Sequence, residues 1–190
     1  SGYKSSRTGF SLGTEFEQYE NIFMAPAIVV AHEDIKIPND ATAELKKMDG
    51  TFSNIDFAYG LIVDKRNRTF KPTAGYRAKF VQSLPIIQDA SSLMNGINVS
   101  VYHALSEDVI GSAKFYARSI HGIDQDVRLT NRLRMPANRL RGFNTRRVGP
   151  KDGDDYIGGN YITALGFEAQ LPNLLPESSK TDISFFIDSG

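Results

Sequence analysis

Apolar side chains in this sequence recur at every second position, and the three-to-four spacing of an amphipathic helix is almost absent. The alternation is clearest where Ile55, Phe57, Tyr59, Leu61 and Val63 interleave with Asn54, Asp56, Ala58, Gly60 and Asp64. Ile97, Val99 and Val101 repeat it against Asn98, Ser100 and Tyr102. Because successive residues of a strand point to opposite faces, such a segment builds a sheet with one apolar face and one face that is wet or lined by small residues. The pattern predicts eight strands, at about 8–18, 22–36, 53–65, 75–84, 96–105, 109–121, 158–170 and 182–188.

The predicted connections alternate in length. A tight turn at Gln18 to Asn21 is followed by a polar loop from Ile37 to Phe52, then by RNRTFKPTAG, by a medium loop PIIQDASSLMNG and by a tight turn at Ser106 to Asp108. The longest connection is an internal loop at about 123–157, and PNLLPESSK precedes the last strand. Short turns on one edge and long loops on the other are the arrangement of an antiparallel transmembrane β-barrel. The same alternation is compatible with a soluble sandwich or an open sheet.

Bulk properties narrow the choice. At 190 residues, 41% hydrophobic and 11% aromatic, the chain has the composition of one folded domain. Lysine plus arginine and aspartate plus glutamate are equal at 22 each, so no net field draws the molecule to nucleic acid or anionic lipid. The absence of cysteine excludes a disulfide-stapled scaffold and a thiolate metal site. No run of apolar residues is long enough for a transmembrane helix, and the opening SGYKSSRTGF does not read as a secretory signal. With strands reaching both ends, the sequence reads as a fragment, either a small barrel of eight strands or part of a larger one with two unpaired edges.

The long loop carries an ordered set of motifs: Leu140-Arg141-Gly142-Phe143, Val148-Gly149-Pro150 and Gly158-Gly159-Asn160. With the strands YITALGFEAQLP and TDISFFIDSG after them, and the hairpin containing Pro72, Thr73 and Gly75 before them, they resemble the BamA family of outer-membrane protein assembly factors. The resemblance implies an all-β fold in which this chain supplies roughly strands six through thirteen of a sixteen-stranded barrel, with the POTRA domains outside it. It further implies residence in the bacterial outer membrane, unfolded barrel proteins as clients, lipoprotein partners reached through the POTRA domains, contact with membrane lipid, no cofactor and no enzymatic activity.

In the family the loop folds into the barrel lumen, where its motif arginine meets acidic residues of the wall. Strand parity names the acids available here. Tyr161, Thr163, Leu165 and Phe167 share one face, which leaves Glu168 on the other with Ile162, Ala164 and Gly166. In the last strand Asp188 shares a face with Ser184 and Phe186, opposite Ile183, Phe185 and Ile187. Adjacent antiparallel strands bring both carboxylates within reach of one planar guanidinium. The expected site is therefore Arg141, Glu168 and Asp188, with Gly142 allowing close approach to the wall and Phe143 as an apolar anchor. On residue chemistry alone, Arg141 reads more simply as a surface arginine in a solvated loop.

Other chemistry is weaker. Arg128, Arg132, Arg134, Arg139, Arg141, Arg146 and Arg147 could mark a phosphate-binding stripe, but only Phe143 and Tyr156 lie near enough to stack on bases, which disfavours nucleic acid. Lipopolysaccharide or acidic wall residues suit these arginines equally. Asp152, Asp154 and Asp155 cluster without the glycine and distal glutamate of a helix-loop-helix calcium site. His32, His103 and His121 have no spacing that suggests a zinc site or a catalytic triad, and no catalytic residues emerge. Two other functions stand as alternatives: a translocation pore of the two-partner secretion type, whose proteins share the loop motif and fold, and a barrel fused to an enzyme.

Overall fold

The computed structural model describes residues 3–89 and 91–190. Ser1 and Gly2 of the opening stretch, and Ala90 of the predicted medium loop, lie outside the described residues. The strands are β1 (Lys4–Gly13), β2 (Phe16–Tyr19), β3 (Ile22–Lys36), β4 (Gly50–Asp64), β5 (Gly75–Gln88), β6 (Ser92–Ala104), β7 (Ile110–Gly122), β8 (Lys151–Asp152), β9 (Asp155–Tyr156), β10 (Tyr161–Leu171) and β11 (Ile183–Ser189). All but β8 and β9 form one antiparallel sheet in the order β1-β3-β4-β5-β6-β7-β10-β11, with β2 pairing the start of β3. Each neighbour in this order is the next long strand of the chain, so hairpin connections alone build the sheet.

Residue register carries the two-faced pattern from strand to strand. Asp64, Arg77, Ser100, Lys114, Gly166 and Asp188 are successive cross-strand partners from β4 to β11, forming one polar row on one face. The row of Val63, Ala78, Val99, Phe115 and Leu165 is apolar and faces the other way. Phe10, Leu12, Ile97, Val101, Phe115, Leu165, Phe167, Phe185 and Ile187 are exposed on that apolar face. An uncovered apolar face of this extent suits acyl chains rather than water. Tyr19, Tyr76 and Tyr161 sit near strand ends, the place of an interfacial aromatic girdle.

The opposite face is where the molecule buries residues. Two hydrophobic clusters form under the loops that cover it. Ala41, Leu45, Met48 and Leu129 make one, beneath the short helix α1 (Ala43–Lys46). Met135 and Leu140 of the long loop pack on Ile162 and Ala164 of β10 in the other. Residues 129–147 contain three short 3-10 turns, Leu129–Asn131, Ala137–Arg139 and Thr145–Arg147. The loop is thus a second layer, packed on the small-residue face of the sheet.

Several boundaries differ from the pattern's expectation, each for a local reason. The predicted strand at 8–18 is two strands, β1 and β2, and β1 begins at Lys4. The predicted medium loop shrinks to the link between Gln88 and Ser92, because β5 runs through Pro85. A register shift between Ile55 and Asp56 absorbs that proline, which cannot donate to the ladder. Gln88 then holds the turn, accepting from the Ser92 amide at 2.9 Å and donating to Asp56. The strand placed at 158–170 starts only at Tyr161, and Gly158, Gly159 and Asn160 precede it.

Gly75 opens β5 at φ +92°, and a Cβ there would collide with the Lys65 backbone carbonyl. Gly75→Val is expected to block closure of the 65–75 hairpin and to lower the yield of folded, heat-modifiable protein on electrophoresis. Phe115→Arg, on the apolar face, is expected to destabilise the sheet in a bilayer by about 2 to 4 kcal/mol. The same charge at Ser83 on the polar face should cost far less, and urea titration in lipid vesicles compares the two.

Candidate functional site

The site is assembled on the covered face of β10 and β11. Their register pairs Glu168 with Phe186 and Gly166 with Asp188, so both carboxylates and one phenyl ring project from the same side of neighbouring strands. Gly166 leaves open the space beside Asp188: a Cβ there would lie 2.9 Å from Asp188 Oδ1. Sequence parity alone locates this wall, and the long loop brings a cation to it.

Arg141 occupies the space. Its backbone N–H donates to Asp188 Oδ2 at 3.0 Å, Nε donates to the same oxygen at 2.8 Å and one Nη donates to Oδ1 at 2.9 Å. The other Nη donates to Glu168 Oε2 at 3.1 Å. The guanidinium lies 3.8 Å from the ring centroid of Phe186, in stacking range. The Asp188 side chain is only 4% exposed, so in this arrangement its charge is answered by the arginine rather than by water. Hydrogen bonds donated to Asp188 first, and to Glu168 after it, hold the Arg141 guanidinium above the usual arginine pKa despite its partial desolvation.

The neighbours of Arg141 divide the remaining work differently from expectation. Leu140 is the apolar anchor, buried against Met135, Ile162 and Ala164. Phe143 is not: its ring is 64% exposed, and Phe186 of the wall supplies the aromatic contact instead. Gly142 is not placed for close approach either, since a Cβ would meet nothing within 4 Å. Its backbone sits at φ +84°, a conformation that glycine adopts without strain, and this sharp turn is what its identity permits. Gly158 has φ +76° and packs so near the Leu133 carbonyl that a Cβ would sit 2.9 Å from it.

Gly159 and Leu133 exchange backbone hydrogen bonds of 2.8 and 2.9 Å, stitching the end of the loop to its middle. The Asn160 carbonyl then accepts from the Ile120 amide at 2.8 Å as β10 joins β7. Four of the seven arginines, Arg128, Arg134, Arg139 and Arg141, make internal contacts. Arg134 donates to the Tyr156 carbonyl at 3.0 Å, and Arg139 lies 4.9 Å from the Tyr116 ring. Arg128 is buried beside Glu33, a pairing that the sequence does not single out because 94 residues separate the two partners. In the acidic stretch, Asp152 accepts from the Thr42 hydroxyl at 2.5 Å. His32 pairs with Ser53 at 2.8 Å, and His121 packs edge-on against Tyr161 with ring centroids 5.4 Å apart.

Arg139, Arg141, Lys114, Glu168 and Asp188 also border a polar cavity of about 300 Å³ with Ser100 and Ser112. No helix among the described residues is long and apolar enough to cross a membrane.

Comparison with known proteins agrees with this architecture. The sequence profile of the Omp85 superfamily domain matches residues 1–190. The chain is 28% identical over 163 residues to outer membrane protein assembly factor BamA of Neorickettsia risticii, covering 81% of this chain and 21% of that protein. It is 24% identical over 136 residues to the human sorting and assembly machinery component 50 homolog, covering 70% of this chain and 29% of that protein. The chain therefore spans between a fifth and a third of these relatives. The crystal structure of Haemophilus ducreyi BamA lacking POTRA domains 1–3 superposes with a TM-score of 0.84 at 21% identity, over 98% of this chain and 41% of that one. A two-faced antiparallel sheet with its long loop laid on the polar face, matched by the superfamily profile from end to end, makes this chain a member of the Omp85 superfamily with the fold of part of a BamA barrel.

Proposed function

We propose that this chain is part of the barrel of an outer-membrane assembly factor that folds and inserts β-barrel proteins, and that its long loop braces the barrel wall from inside. The observation carrying the brace is the sharing of Arg141 between Asp188 and Glu168 on adjacent strands. The relatives named as assembly factor and assembly machinery component support the role, and they point to an outer membrane, here taken as the bacterial one. The clients are unfolded barrel proteins. Lipid contacts the apolar face, and lipoproteins engage through POTRA domains beyond this chain.

The proposed mechanism is non-enzymatic. A sheet that must admit incoming strands elsewhere along its barrel has to keep its own curvature meanwhile. The planar guanidinium forks between two strands and so fixes their spacing and shear together. A paired charge of this kind contributes little net stability, whereas removing the arginine strands the nearly inaccessible Asp188 carboxylate. Its value lies in placing the loop: Leu140 and Arg141 are adjacent, so apolar packing and ion pairing are satisfied in one register only.

Arg141→Glu in the complete protein is expected to lower both the heat resistance of the barrel and its rate of inserting a reporter barrel protein into vesicles. Glu168→Arg or Asp188→Arg in that background should partly restore both, and an Arg141→Glu protein that behaves as wild type would remove the brace. The two acids should rank unequally, since Asp188 accepts three of the four hydrogen bonds and Glu168 one. Asp188→Asn is expected to destabilise by about 3 kcal/mol, against about 1 kcal/mol for Glu168→Gln, as read from urea unfolding in lipid.

A further inference from the structure

We infer that Arg128 is the second anchor of the loop, so that residues 128–141 form a strap tied at both ends across the covered face of the sheet. The inference rests on the proposed bracing role of Arg141 and extends it. The wall repeats the same chemistry at two distant places. Glu168 and Phe186 are a cross-strand pair between β10 and β11, and Glu33 and Phe52 are a cross-strand pair between β3 and β4. Each pair receives one arginine from the loop.

At the second place, an Arg128 Nη lies 3.5 Å from Glu33 Oε2, and its guanidinium lies 4.7 Å from the Phe52 ring centroid. The Thr130 hydroxyl donates to the same Glu33 oxygen at 2.9 Å. Both charged side chains are nearly inaccessible, at 3% and 4% exposure. A surface cation satisfied by water would not be held this way. Burial pushes the Arg128 pKa down, and Glu33 opposes that shift. Arg128 Nε has no hydrogen-bond partner among the described residues, so the charge depends on the Glu33 carboxylate and the Phe52 ring.

The two ends of the strap also mirror each other in sequence. Arg128 is followed by buried Leu129, and Arg141 is preceded by buried Leu140. Leu129 packs with α1 over one side of the face, and Leu140 packs on β10 at the other. Between the anchored strand pairs lie β5, β6 and β7. A segment fixed at β3/β4 and again at β10/β11 spans the concavity as a chord, and the length of a chord sets the curvature of the sheet beneath it. Arg128 is thus a positioning residue: it acts through the strap, not on a client.

The test uses the complete protein in lipid, with spin labels on Ser53→Cys and Thr163→Cys, which stand on the apolar face of the two anchored regions. Pulsed dipolar spectroscopy reads the distance between them. Arg128→Glu or Glu33→Arg is expected to broaden the distance distribution, and the combined charge swap is expected to narrow it again. Distributions that stay narrow in both single variants, or a swap that does not restore them, overturn the second anchor. If Arg128→Glu broadens nothing while Arg141→Glu does, this inference fails and the Arg141 brace stands; the reverse separates them in the other direction. Should the reversed charges prevent folding, Phe52→Leu removes the ring alone and should raise the rate of proteolytic cleavage within residues 128–141 by roughly tenfold. An unchanged cleavage rate in Phe52→Leu also counts against the strap.

Discussion

A carboxylate that faces away from lipid on a tightly packed wall needs a cation brought to it, and Asp188 receives one from a residue 47 positions away. Much else in the molecule follows from that need. The cation must arrive on a segment long enough to leave the sheet and return, which is the stretch between β7 and β10. The segment must also turn sharply at Gly142, bury Leu140 beside the charge and stitch its return to its own middle through Gly159 and Leu133. Charge pairing then decides placement, while apolar packing supplies most of the stabilisation.

The sheet makes room for this second layer by keeping its covered face small. Ala25, Ala27, Ala31, Ala58, Gly60, Gly96 and Gly166 occupy that face, Ala25 opposite Gly60 and Ala27 opposite Ala58. Gly96 is the sharpest case: a Cβ there would sit 2.5 Å from an Arg118 Nη, so the arginine lies flat over the glycine and stacks on Tyr116 at 4.3 Å. The other face does the opposite and exposes large apolar side chains. One alternation of residue size and polarity therefore serves two solvents, lipid outside and a packed polar loop inside.

Much of the fold could be read from the chain. Period-two alternation located the eight long segments, and β3 runs over the expected residues 22–36. Parity also placed Glu168 and Asp188 on the face away from Leu165 and Ile187, because a side chain's face in a strand is a local property. Expectations failed where a contact came from elsewhere. Pro85 read as a loop residue, but a bulge in β5, where Ile86 has no partner between Pro85 and Ile87, keeps it in the strand. Phe143 read as an anchor because it adjoins the motif arginine, yet the ring that stacks on Arg141 is Phe186, on another element.

The sequence by itself determined the strands, their two faces and which carboxylates look inward, since these follow from alternation along a single chain. It did not determine where the loop lies or which arginine meets which acid. Seven arginines fall between positions 128 and 147, and nothing local distinguishes the two that pair with wall acids from the five others. Only tertiary structure decided that, because pairing Arg128 with Glu33 and Arg141 with Asp188 depends on the curvature of the whole sheet. Curvature sums small twists over many strands, and no single stretch of residues encodes it.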